Sequence, residues 1–214
     1  MTRNLRDVAL LLLATGAIVA AQSATSPTDL KPDSRARLPY LQRKDMSEAD
    51  QKIFDVLPGR GNDDVLRGPL AFAAYNPGVA KALFDLHNAA VGGTLNAHVR
   101  ELAIMVACRE TNYNLEWNAH ETTALRNGVD AKVIEIIRRR APLATVDEKD
   151  AAVIRFGREL FGRRKVDAAT FARIVELYGK RGAMDMVAVM NTYAVSGFFA
   201  IAVEEPPAPD KSPL

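Results

Sequence analysis

Arg100-Glu101-Leu102-Ala103-Ile104-Met105-Val106-Ala107-Cys108 is the stretch on which the fold turns. From Leu102 to Cys108 every residue is apolar. A helix with no polar face is one enclosed by its neighbours, so this run predicts a buried central helix that begins at Asn96. Thr111–Asn114 reads as a turn, and a second helix follows over 115–127 with Gly128 as its left-handed stop. A turn that short predicts an antiparallel hairpin.

Working outward, the same local grammar repeats. Asn76-Pro77 supplies a cap and an N1 proline ahead of Val79, Leu83, Leu86 and Ala90, a helical stripe closed by Gly92-Gly93. Ser47 with Asp50 forms a capping box for a short helix through Leu57, and Pro58–Asp63 breaks it. Asp130 starts a helix carrying Val133, Ile136 and Ile137 that Pro142 ends. Asp147 starts one with Ala151, Ile154 and Phe161, and Asp167 one with Phe171, Ile174, Val175 and Tyr178. Gly179 and Gly182 separate the latter from a last helix over Ala183–Val203. No stretch combines alternation with β-branched enrichment, so the expected fold class is all-α, one helical domain over residues 38–203.

Composition agrees and narrows the function. The 214 residues are 48% hydrophobic and 25% charged, as in ordinary globular domains. Lys and Arg number 28 against 26 Asp and Glu, a formal charge of +2 that builds no field for nucleic acid. Cys108 is the one cysteine, which excludes an internal disulfide and a Cys-rich zinc site. Its apolar neighbourhood points to a buried thiol.

The ends read differently. Arg3 and Arg6, the apolar run Val8–Ala21 and the exit Val19-Ala20-Ala21 have the form of a secretory signal peptide over residues 1–21. The expected location is therefore periplasmic or secreted; the alternative is a membrane anchor at residues 8–21. Residues 22–37 read as a linker, and 204–214 as a Pro-rich exposed tail. Met186–Val203 has no charge over 18 residues, but Asn191, Thr192, Tyr193 and Ser196 favour a buried core or subunit-interface helix over a membrane span. The excess of apolar surface predicts a homo-oligomer.

One polar constellation stands out. Glu116 and His120 are four apart, hence on one helix face, with Trp117 beside them as an apolar wall. Glu101 heads the buried run, near the surface or facing a cavity. Antiparallel packing of the hairpin brings Glu101 to within about one helical turn of His120, and a shared relay requires roughly 8 Å or less. A carboxylate–imidazole group in a half-dry pocket suits acid–base work, the imidazole moving the proton. The bland alternative is a surface pair of structural value only. Glu116, His120 and Glu101 could also ligate a metal, but no second histidine joins that helix, and no metal or cofactor is expected. His87 and His98 read as solvated or capping, Tyr113 and Asn112 as turn residues near the pocket, and Arg138-Arg139-Arg140 as a basic helix end.

Arg100-Glu101-Leu102-Ala103 followed by Glu116-Trp117-x-x-His120 resembles the carboxymuconolactone decarboxylase family, which includes the alkylhydroperoxidase D-like proteins. The likeness covers about residues 38–203 and implies an all-helical fold that assembles into homo-oligomers, often trimers or hexamers. In the peroxidase branch a Cys-x-x-Cys pair stands seven and four residues before the histidine. Those positions are Tyr113 and Glu116 here, and Cys108 lies outside the motif. The decarboxylase branch uses acid–base groups near the same histidine, a pattern that Glu101, Glu116 and His120 match. The resemblance thus implies cofactor-free acid–base chemistry on a small organic acid or lactone, with Glu101, Glu116 and His120 as catalytic residues and Tyr113 and Trp117 at the substrate. Peroxidase activity and a non-catalytic ligand-binding oligomer are the alternatives. An export signal departs from both branches, which are typically cytoplasmic.

Overall fold

The computed structural model describes residues 29–207 and 214, so the expected signal peptide and the residues 22–28 and 208–213 lie outside the described part. Seven α-helices are found among the described residues: α1 Glu48–Phe54, α2 Pro77–Val91, α3 Ala97–Thr111, α4 Asn114–Arg126, α5 Ala131–Arg138, α6 Glu148–Arg158 and α7 Ala168–Ala202. There is no strand among them; two isolated bridges, Gln42 with Val65 and Arg60 with Leu66, brace the loop between α1 and α2.

The caps fall where the sequence places them. Side-chain oxygens of Ser47, Asn76, Asn96, Asp130 and Asp147 accept from the backbone of the first turns of α1, α2, α3, α5 and α6. Each satisfies a donor that a helix start leaves unpaired. Helix α3 is the axis of the molecule. From Leu102 to Cys108 no residue is more than 1% exposed, and α4, α5, α6 and α7 pack around it. The approach of α6 depends on Gly157, because a Cβ there would lie 2.4 Å from Val106 Cγ1 on α3. A second cluster joins Phe54, Leu66, Leu70 and Ala80, mounting α1 and its loop on α2.

Three details differ from the sequence reading. Helix α6 runs into a π-helical turn over Glu159–Arg163. That turn delivers the buried Glu159 to the start of α7, where it accepts from Asp167 N (2.8 Å) and Thr170 Oγ1 (3.0 Å). The Asp167 carboxylate is taken instead by Arg163. Second, only Gly179 (φ 71°, ψ 172°) interrupts α7; Gly182 is buried within the helix beyond that kink. Third, the described parts of the linker and tail are docked. Ala36 is fully buried, Arg37 N donates to Val203 O (2.8 Å), and Arg35 reaches Pro207 O (3.1 Å). The linker therefore packs on the end of α7, and the tail residues Glu205–Pro207 are half-buried rather than exposed.

By length and composition α7 could cross a membrane, yet half of its apolar window is buried within this chain.

Candidate active site

Helices α3 and α4 form the expected hairpin. Asn112 adopts the left-handed conformation (φ 55°) that ends α3, and Tyr113 N donates back to Cys108 O at 2.7 Å. The chain reverses within two residues, which sets α4 against α3.

Across this hairpin His120 sits between two acids. Its Nδ1 is 2.7 Å from Glu101 Oε2 and its Nε2 is 3.2 Å from Glu116 Oε2. The Glu101 contact has hydrogen-bond geometry and the Glu116 contact is an ion pair, and a carboxylate beside each ring nitrogen favours the doubly protonated cation. Burial opposes that charge. The Glu101 and Glu116 carboxylates outweigh it and raise the His120 pKa from 6.5 to about 9. Glu101 and Glu116 are 4% and 7% exposed, so the trio is largely withdrawn from water. The edge of Tyr193 on α7 closes on the imidazole, with ring centroids 5.0 Å apart. Among the described residues no group of three His, Cys, Asp or Glu is arranged for a metal ion. The two carboxylates lie on opposite sides of the ring and do not converge on one point.

Glu116 also faces outward, into a cavity of about 270 Å³. Pro58, Pro69, Leu70, Leu83 and Phe84 make its apolar part; His87, Asn88, Thr192, Tyr193 and Ser196 join Glu116 on the polar part. Of the three residues expected to be catalytic, only Glu116 forms the cavity wall, with His120 behind it and Glu101 behind His120.

Tyr113 and Trp117, expected at the substrate, do not line this cavity. Trp117 follows Glu116 by one position, and on a helix adjacent residues point to different faces. Its indole is buried beneath the Arg138 guanidinium (4.8 Å) and donates to Glu121 (3.2 Å). Tyr113 precedes α4 with non-helical backbone (φ −85°, ψ 88°) and is buried. It packs on Gly197 of α7, where a Cβ would come within 2.9 Å of the ring. Neither residue lines the cavity.

His87, Thr192, Tyr193 and Ser196 were not expected at a site. His87 is half-buried against Tyr193 (5.7 Å), and burial holds its pKa below 6.5 against the pull of Glu116, so it is neutral near pH 7. The available signal was the Thr-Tyr pair and the serine inside the uncharged, mostly apolar run of α7. His98 is not free either: its Nε2 lies 2.8 Å from Asp150 and ties α3 to α6. After α7, Glu205 is pushed up to about 7, by burial first and by the charge of Glu116 second. Cys108 is fully buried, and burial, then Glu116 and Glu101, push its thiol up.

Residues 77–156 match the carboxymuconolactone decarboxylase family. The matched segment runs from α2 into α6 and contains Glu101, Glu116 and His120. The carboxymuconolactone decarboxylase resemblance seen in the sequence thus rests on the hairpin and its neighbours. Two solved structures share the architecture. One is the alkylhydroperoxidase AhpD core of an uncharacterized peroxidase-related protein from Ralstonia eutropha JMP134, with a TM-score of 0.63 at 17% identity over 82% of this chain and 93% of that one. The other is a cysteine-to-alanine variant of the debrominase Bmp8 in complex with 2,3,4-tribromopyrrole, with a TM-score of 0.59 at 16% identity over 78% and 89%. At such identities the likeness is one of fold. No curated protein matches the chain.

Proposed function

We propose that this protein is an acid–base enzyme of the carboxymuconolactone decarboxylase type, acting without a cofactor on a small organic acid or lactone. The observation that carries the reading is the His120 ring held between Glu101 and Glu116 while Glu116, of these three, lines the cavity. In this scheme Glu116 is the group within reach of the substrate. It takes a proton from the bound molecule and returns it at another atom. His120, charged at neutral pH, stabilises the ionised Glu116 between these events, and Glu101 anchors the ring from behind. The sequence assigns the moving proton to His120; the cavity geometry favours Glu116, since Glu116 lines the cavity and His120 does not.

Peroxide reduction through cysteine is the weaker reading. The chain has one cysteine, which is buried inside α3, and Tyr113 and Glu116 stand at the Cys-x-x-Cys positions. A non-catalytic ligand-binding oligomer uses the same cavity with no turnover. Export through residues 1–21 and self-association into a trimer or hexamer complete the proposal.

Saturable turnover on a panel of simple lactones and β-keto acids is expected for the purified protein and lost in His120→Gln, which keeps the side chain polar between the two acids. Turnover retained in that variant overturns the scheme, and saturable binding with no turnover selects the ligand-binding alternative.

A further inference from the structure

The cavity wall has a charge balance that bears on what enters it. Its one ionisable acid is Glu116. Two carboxylates against one imidazolium give the Glu101–His120–Glu116 trio a formal net charge of one negative unit. Among the described residues no lysine or arginine lines the cavity. The imidazole on the wall, His87, is held neutral by burial, and burial keeps the Tyr193 phenol protonated. A ligand carboxylate would therefore lose its water and meet a like charge that His120 only partly offsets, with no lysine or arginine on the wall to pair with it.

The remaining polar groups suit an uncharged ligand. Glu116 accepts hydrogen bonds only. Thr192 is a wall residue whose buried Oγ1 has no partner, whereas the Ser196 hydroxyl is spent on Thr192 O (3.1 Å). The size also discriminates. A dry cavity of about 150 Å³ accommodates benzene, so about 270 Å³ leaves room for one ring and a few substituent atoms.

We propose that the cavity binds a single-ring organic molecule in its uncharged form, with a hydrogen-bond donor directed at Glu116 and its ring among Leu70, Leu83 and Phe84, and that it rejects the carboxylate of equal size. This rests on the cavity being the substrate site of the proposed enzyme. It selects the neutral lactone or phenol-like substrate over the ionised acid.

The test is calorimetric titration of the full-length protein at about pH 7 with phenol and with benzoate, two probes of one ring each. Phenol is expected to bind at least about tenfold tighter. Glu116→Gln should shrink that ratio to within about threefold. Asn88→Arg, at an exposed wall position, should reverse the preference by placing a cation beside the ring. Benzoate binding as tightly as phenol in the unsubstituted protein overturns the proposal. So does the absence of phenol binding below about 10 mM. The readout is binding alone. Phenol preference without turnover on any lactone or acid removes the catalytic reading and leaves the ligand class standing; turnover accompanied by benzoate preference does the reverse.

Discussion

His98 and His120 each rest a ring nitrogen on a carboxylate, 2.8 Å from Asp150 and 2.7 Å from Glu101, and each pair joins α3 to a neighbouring helix. The difference lies in what else surrounds the ring. At His98 one carboxylate is in range and the side chain is about one-third exposed. At His120 a second carboxylate engages the other nitrogen, the side chain is 20% exposed, and both acids are buried. The first arrangement fastens two helices. The second fixes a cation between two anions and turns one anion toward a cavity. What sets the His120 contact apart is thus its second partner and the adjoining space, not the contact itself.

The largest expected break in this contrast is in turnover. Glu116→Gln should lower it by roughly 10²- to 10⁴-fold, the usual worth of a positioned acid or base, while Asp150→Asn leaves it within about twofold. Steady-state rates on the same lactone panel read both. An Asp150→Asn loss comparable to that of Glu116→Gln would erase the distinction between the two sites.

Stability comes next. Glu101→Leu removes the partner buried most deeply against a cationic ring, and breaking such a pair costs about 3–5 kcal/mol. Urea denaturation of this variant should show that loss with little change in slope. A cost under about 1 kcal/mol would mean that His120 is neutral in the folded protein.

A pH series sharpens the point without mutation. The His120 pKa is raised on folding, from 6.5 to about 9. Its contribution is therefore full below about pH 6.5 and is lost as pH rises through about 9, on the order of 3 kcal/mol across that window. Thermal melts between those limits should fall with pH in the unsubstituted protein and fall less in His120→Gln. A direct check is NMR titration of the His120 ring, expected near 9 and lowered in Glu101→Gln.

The smallest effect belongs to His98. Asp150→Asn should cost about 1 kcal/mol or less, as expected of a partly exposed pair, measured in the same denaturation series.

Much of the fold was legible in one dimension because helix ends are local events. Asn76-Pro77, Asn96, Asp130 and Asp147 each cap a helix within three residues of themselves, so no distant residue was needed to place them. Glu116 and His120 share a face through the helical repeat alone, and the short turn at 112–113 aligned Glu101 with them. Direct contact at 2.7 Å is closer than the one-turn offset that straight-axis arithmetic suggested, since that arithmetic leaves out the reach of the side chains. The same periodicity, applied to Trp117, argues against a place beside Glu116, and the structure buries it on another face.

What the sequence by itself determined was the set of helices, their caps and the acid–histidine–acid hairpin, all governed by contacts between residues at most about twenty apart. The cavity was decided only in three dimensions. Its wall joins Leu83 and His87 of α2 to Glu116 of α4 and Thr192 and Tyr193 of α7. Bringing these together depends on how closely the helices pack, as with Gly157 under Val106 and Gly197 under Tyr113. Such approaches are set by the volumes of side chains remote in sequence. A local pattern carries no record of them, because the free energy that selects one packing belongs to the whole core at once.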